Sequence, residues 1–233
     1  MYLSRLILNP RTRRVQRELA DPYQLHRTLM SAFPEELPAG ERVLYRVDVG
    51  TRSGVPTVLM QSQTRPDWAW LGDPLARDLL QRAPETKPFE PLFAGGQLLA
   101  FRLRANPTVK RRLPTDRDDP ASDLKPMRIP ITAEDELLAW LARKGRRGGF
   151  RPVNVNLVSE GDLIGHQPRR DGAASSADDP STRRRRRLTF RAVRYEGLLE
   201  VTDPDGLVQT LAQGIGPAKA FGFGLLSLAP AGG

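Results

Sequence analysis

The sequence predicts an α+β fold of two tandem βαββαβ units, and three observations carry that prediction. Apolar residues alternate with polar ones in several short runs, the period of a half-buried strand. Three segments open on the same pair, Asp21-Pro22, Asp73-Pro74 and Asp203-Pro204. An Asp ahead of a helix accepts from an orphan amide, and a Pro in the first helical position gives up no needed donor. The order strand, helix, strand, strand, helix, strand then occurs twice, over about Met1–Lys110 and about Lys125–Pro230. That order is the split βαβ, or ferredoxin-like, arrangement, and 233 residues suffice for two such domains.

In chain order, Tyr2–Leu8 reads as the first strand, and the helix from Asp21 carries Leu25, Leu29 and Ala32 as one apolar stripe. Val43, Tyr45, Val47 and Val49 alternate with Arg42, Leu44, Arg46 and Asp48, Thr57–Ser62 follows as a strand, and Asp73 is expected to start a second helix. Leu99, Phe101, Leu103 and Ala105 share one face of the strand that closes an N-terminal domain over 1–112. Arg112–Asp123 reads as a linker to a C-terminal domain over 124–233. There, Lys125–Ile131 is a strand, and Thr132-x-x-Asp135 resembles a capping box before a helix ending at Arg143, Lys144 and Gly145. Val153, Val155 and Leu157 lie on one face of the next strand, Leu188–Glu196 and Leu225–Leu228 are further strands, and Asp203 opens the last helix. Gly161–Ser181, rich in Gly, Ser, Asp and Pro, is expected as a hairpin tip.

The composition removes whole classes of chemistry. With no cysteine there is no disulfide framework, thiolate metal site or cysteine nucleophile. Two histidines, His26 and His166, cannot build a His-rich metal centre, so no metal site and no cofactor are expected. Arg5 interrupts the apolar N-terminal run, which argues against a signal peptide or a membrane span. The expectation is a soluble, cytoplasmic protein with no membrane partner and no small-molecule cofactor.

Charge is concentrated. Between Arg143 and Arg194 there are fourteen Lys or Arg and five Asp or Glu, an excess equal to the net +9 of the whole chain. Arginine dominates, and its planar fork suits bidentate phosphate contacts. Nucleic acid is the partner this favours over a merely solvated basic surface. The Arg183–Arg187 run reads either as a phosphate clamp or as a solvated strand approach.

Two stretches could carry chemistry. On the helix PYQLHRTLM, Tyr23 and His26 are three apart and therefore neighbours, with Arg27 beside them. Imidazole titrates near neutral pH, about 6.5, so it can take and give protons there; the same residue also fits a half-exposed histidine at a sheet edge. Near the C-terminus, Gly214, Gly216, Gly222 and Gly224 surround Lys219 between a helix and a strand. Such a loop can bring amides to a phosphate, or it can be only a tight turn. It fits neither the Walker A nor the Rossmann pattern.

Together these stretches resemble the CasE family of CRISPR precursor-RNA endoribonucleases, in the RAMP superfamily. The matching pieces are Leu6–Pro10, Asp21–Thr28, Pro66-Asp67-Trp68, Lys87-Pro88-Phe89, Phe101–Pro107, Tyr195–Val201 and Gly214–Leu226, in family order over almost the whole chain. The resemblance implies two RRM/RAMP-like ferredoxin-like domains with the Gly-rich loop near the first helix. It implies binding of a CRISPR repeat hairpin and metal-independent cleavage at the 3′ base of its stem. The ribose 2′-hydroxyl would attack the adjacent phosphate, leaving a 2′,3′-cyclic phosphate, and the crRNA product would be kept within Cascade, whose other subunits are the protein partners. By the same resemblance His26 and Tyr23 are catalytic. Arg27, Lys219, Gly214, Gly216, Gly222 and Gly224 contact RNA, and Arg169 and Arg170 lie on a hairpin that reaches the duplex. Some members carry a lysine five residues after the histidine; Ser31 stands here, so another basic residue would serve. The alternative is a non-catalytic RAMP-type RNA-binding subunit.

Overall fold

The computed structural model describes residues 1–74, 76, 78–114, 124–168 and 185–232. The chain forms two compact units: Met1–Phe89 with Asp162–Phe190 and Ala220–Gly222, and Glu90–Gly161 with Arg191–Lys219 and Phe223–Gly233.

The first unit contains β1 (Tyr2–Ile7), α1 (Arg13–Ala20), α2 (Pro22–Met30), β2 (Leu44–Val49), β3 (Pro56–Ser62) and β4 (Glu85–Pro88), in a sheet of order β2-β3-β1-β4. β1 lies between antiparallel neighbours, Ser4 facing Met60 on one side and Thr86 on the other. Leu6, Leu8, Val58 and Met60 from the sheet bury against Val15, Leu25 and Leu29 from the helices.

Two elements here differ from expectation. α1 was hidden because its exposed arginines look like a charge cluster and Val15 is its one buried apolar residue. Thr12 caps it, accepting from the Val15 amide. No helix opens on Asp73 among the described residues; a 3-10 turn at Ala69–Gly72 ends there. Ala76 and Leu79 then enter the core from single turns instead of a helical face.

The second unit adds β5 (Leu98–Ala105), β6 (Thr108–Pro114), β7 (Leu124–Pro130), α3 (Glu134–Arg147), α4 (Pro204–Gln213), β10 (Leu226–Pro230) and parts of β8 (Phe150–Pro168) and β9 (Arg185–Val201), with sheet order β10-β5-β9-β8. Leu99, Phe101, Leu103 and Ala105 are buried on one face of β5, as the alternation predicted. β5, however, pairs with β9 and β10, so it opens the second sheet instead of closing the first. Periodicity shows which face is buried and is silent on the partner. The fourth strand of the first sheet is β4, whose sequence ETKP has no apolar alternation because it is an exposed edge.

Among the described residues β6 and β7 pair only with each other, ahead of α3. The capping box at Thr132 does not form: the N-cap of α3 is Ala133 and makes no side-chain bond. Three acidic residues in the first turn supply the favourable charge instead. The helix also runs past Gly145 to Arg147, and glycine stands at 145 because the Phe150 carbonyl crosses so close that a Cβ there would collide with it. On β8, Val153 is 49% exposed, so the expected apolar face is half in solvent. Trp140 of α3 stacks on Tyr195 of β9, ring centroids 5.9 Å apart, in the core of this unit, where burial pushes the Tyr195 phenol up.

Residues 115–123 of the expected linker, most of the Gly161–Ser181 segment, and Arg183 and Arg184 lie outside the described residues.

Candidate active site

Asp21 shapes the N-terminal end of the site. Its amide donates to the Arg17 carbonyl and closes α1, while its carboxylate accepts from the Tyr23 amide at 3.1 Å and opens α2. With Pro22 at the first position, α2 starts one residue after α1 stops. Its buried stripe of Leu25, Thr28 and Leu29 faces inward, which leaves Tyr23 and His26 half-buried and Arg27 exposed.

His26 lies against Tyr45 of β2, which the sequence presents only as a member of an alternating run. The rings are nearly parallel, 12° apart, with centroids 6.3 Å apart. Tyr45 is 1% exposed. Its hydroxyl lies 3.2 Å from the Pro22 carbonyl, at the start of α2, and 3.2 Å from the Ala220 carbonyl in the Gly-rich loop. Having one proton, it donates to one of them at a time. Gly222 packs on the same ring: its φ is +80°, and a Cβ there would stand 3.1 Å from Tyr45 Cε2. A larger residue would therefore be strained and would push on the ring that supports His26. Phe221 meets Phe190 of β9, centroids 4.5 Å apart, and lies beside Gly165 of β8. The roots of the β8–β9 hairpin thus converge on the same loop segment within the first unit.

Burial lowers the His26 pKa below its ordinary value. Its Nδ1 is buried without a hydrogen-bond partner. Among the described residues no carboxylate orients this imidazole or steadies its charged form, so the neutral ring is the resting form at neutral pH. Neutral imidazole is a proton acceptor.

The other expected residues separate into groups. Gly222 is brought to His26 through Tyr45; Gly214, Gly216, Lys219 and Gly224 belong to the second unit. Gly214 spends its amide on the Thr210 carbonyl, closing α4. Gly224 donates to Arg104 and accepts from Ile215, so its backbone serves the fold. Ser31 is the C-cap of α2, its hydroxyl donating to the Arg27 carbonyl at 3.3 Å. Arg169 and Arg170 lie outside the described residues. Among the described residues no three His, Asp or Glu side chains group as a metal would require, and no helix is long and apolar enough to cross a membrane.

A family model described as CRISPR associated protein matches residues 1–230. The chain belongs to this CRISPR-associated family. Within it, the chain is 37% identical over 237 aligned positions to the CRISPR-associated endoribonuclease Cse3 of Thermus thermophilus, covering 99% of this chain and 100% of that protein. It is 34% identical to the Cascade subunit CasE of Escherichia coli, again over 99% of this chain and 100% of the relative. Among solved structures it resembles Cse3 bound to a 19 nt RNA, with TM-score 0.76 at 37% identity over 99% of this chain and 100% of that one. It also resembles Thermus thermophilus Cse3 bound to an RNA representing a pre-cleavage complex, with TM-score 0.73 at 36% identity over 98% of each chain. The α+β fold of tandem ferredoxin-like domains is that of these family structures.

Proposed function

We propose that this protein is a site-specific endoribonuclease that binds the hairpin of a CRISPR repeat and cuts the precursor at the 3′ base of the stem. On this reading it works in the cytoplasm, retains the crRNA and joins the other Cascade subunits. The observation that carries the proposal is His26, half-buried and neutral on α2, seated on the Tyr45 ring that also holds the Ala220–Gly222 loop. The endoribonuclease and Cascade-subunit relatives, alike over their full lengths, support it.

The chemistry follows from the groups to hand. Neutral His26 takes the proton of the ribose 2′-hydroxyl, and the freed oxygen attacks the adjacent phosphorus. The P–O5′ bond breaks, and O5′ leaves with the proton that the His26 imidazolium gives back, yielding a 2′,3′-cyclic phosphate and a 5′-hydroxyl. With its pKa lowered, the imidazolium formed on His26 is a good acid and has little hold on that proton. Tyr23, one turn earlier on α2, can donate its hydroxyl to a phosphate oxygen, and Arg27 supplies positive charge as the phosphorane charge builds. Proton transfer and charge stabilisation complete this sequence without a metal.

His26→Ala should lower cleavage of a cognate repeat hairpin in EDTA by about 10²–10⁴-fold, the usual worth of a positioned proton-transfer group, while binding stays within a few-fold. Undiminished cutting by the variant removes His26 from the mechanism. A wild-type protein that binds tightly and never cuts is instead a non-catalytic RAMP-type subunit.

A further inference from the structure

The second unit contains a cleft of about 330 Å³ lined by Arg128, Lys144, Arg147, Lys219 and the turn Gly214–Pro217. Among the described residues no carboxylate lines it. Arg128 and Arg147 are exposed and Lys144 is half-buried, its ammonium 5.7 Å from the centre of the Trp140 ring. Trp140 is itself buried, so that ring offers no face on which a base could stack.

The charge balance identifies the missing partner. Gly148 and Gly214, the C-caps of α3 and α4, both line the cleft. Each helix C-terminus carries about half a negative charge, so the pair offsets about one of the three positive charges on Arg128, Lys144 and Arg147. About two remain. The Lys144 pKa is lowered, first by burial and then by the push of Arg147, Arg128 and Arg143. The turn leaves one amide at the cleft, that of Gly216 at φ +83°, since Pro217 has no N–H. The Gly216 amide has no hydrogen-bond partner among the described residues. Forked guanidinium donors around an excess of positive charge suit a tetrahedral oxyanion with several acceptor oxygens.

We propose that this cleft is an oxyanion site that takes one phosphate group of the RNA backbone. The source of the phosphate rests on the RNA-processing function proposed above, and the chemistry of the site on the cleft alone.

The test uses the full-length protein and the double variant Arg128→Gln/Arg147→Gln, whose exposed positions leave the core intact. Inorganic phosphate, titrated at constant ionic strength against chloride, should raise the Tm of the wild type, and the variant should lose that rise. With a repeat hairpin RNA, the plot of log affinity against log salt should flatten by about 0.7–0.9, the release of counterions from one phosphate contact. An unchanged response to phosphate overturns the site. So does a lost phosphate response with an unchanged RNA slope, because the ligand is then a free anion or an acidic partner protein. If no RNA is cut by the wild type, the phosphate titration still reads the cleft; if the cleft fails, His26→Ala still reads the cleavage.

Discussion

His26 illustrates how burial without a partner sets the task of a titrating group. A histidine paired with a carboxylate has its charged form stabilised and rests as an acid; here desolvation acts without such a partner and favours the neutral ring. Between its lowered pKa and about 6.5 the unfolded chain binds more protons than the folded one, so this residue's contribution to stability rises with pH across that window and is lost as pH falls through it. The same shift extends the base form to lower pH. The acid limb of kcat/KM for hairpin cleavage, which reports the free enzyme, should therefore lie below about 6.5, measured in EDTA at fixed ionic strength. A limb at or above that value contradicts a neutral, desolvated base.

At the scale of elements, Tyr45 links β2, the start of α2 and the Gly-rich loop through one ring and one hydroxyl. Tyr45→Phe keeps the ring against His26 and removes the donor between two carbonyls. The expected cost is about 1 kcal/mol in unfolding free energy, a typical net hydrogen bond, together with a fall in kcat while the acid limb stays in place. Tyr45→Leu, which also removes the stacked ring, should move that limb up toward the ordinary histidine value. If both variants cleave like the wild type, the ring does not position the base. Helix starts with a local chemical signature, Asp21-Pro22 and Asp203-Pro204, were legible in the sequence and formed as read, as did the buried face of β5. Asp73-Pro74 carries the same pair and starts no helix among the described residues, because the chain beyond it contributes Ala76 and Leu79 to the core from turns. The role of Tyr45 was not legible: an inward aromatic in an alternating strand looks the same whether or not its hydroxyl holds a loop from 175 positions away. The partner of β5 was equally hidden, since alternation encodes burial and a polar edge such as β4 encodes almost nothing.

At the scale of the whole molecule, the basic excess within Arg143–Arg194 equals the entire net charge, so affinity for a polyanion should depend steeply on salt. Each phosphate contact releases counterions and adds about 0.7–0.9 to the slope of log affinity against log salt. Arg169 and Arg170 fall in the segment joining β8 to β9, whose roots pack on Phe221 beside the Gly222–Tyr45 contact. If that segment carries phosphate contacts to the stem, Arg169→Gln/Arg170→Gln should flatten the slope by about 1.4–1.8 and weaken binding at physiological salt. Single-turnover cleavage at saturating RNA should stay near the wild-type rate, since neither residue is placed in the proton-transfer machinery. An unchanged slope removes both arginines from the phosphate interface. A fall in the saturating rate with an unchanged slope would mean that they act on the scissile geometry instead of on the stem.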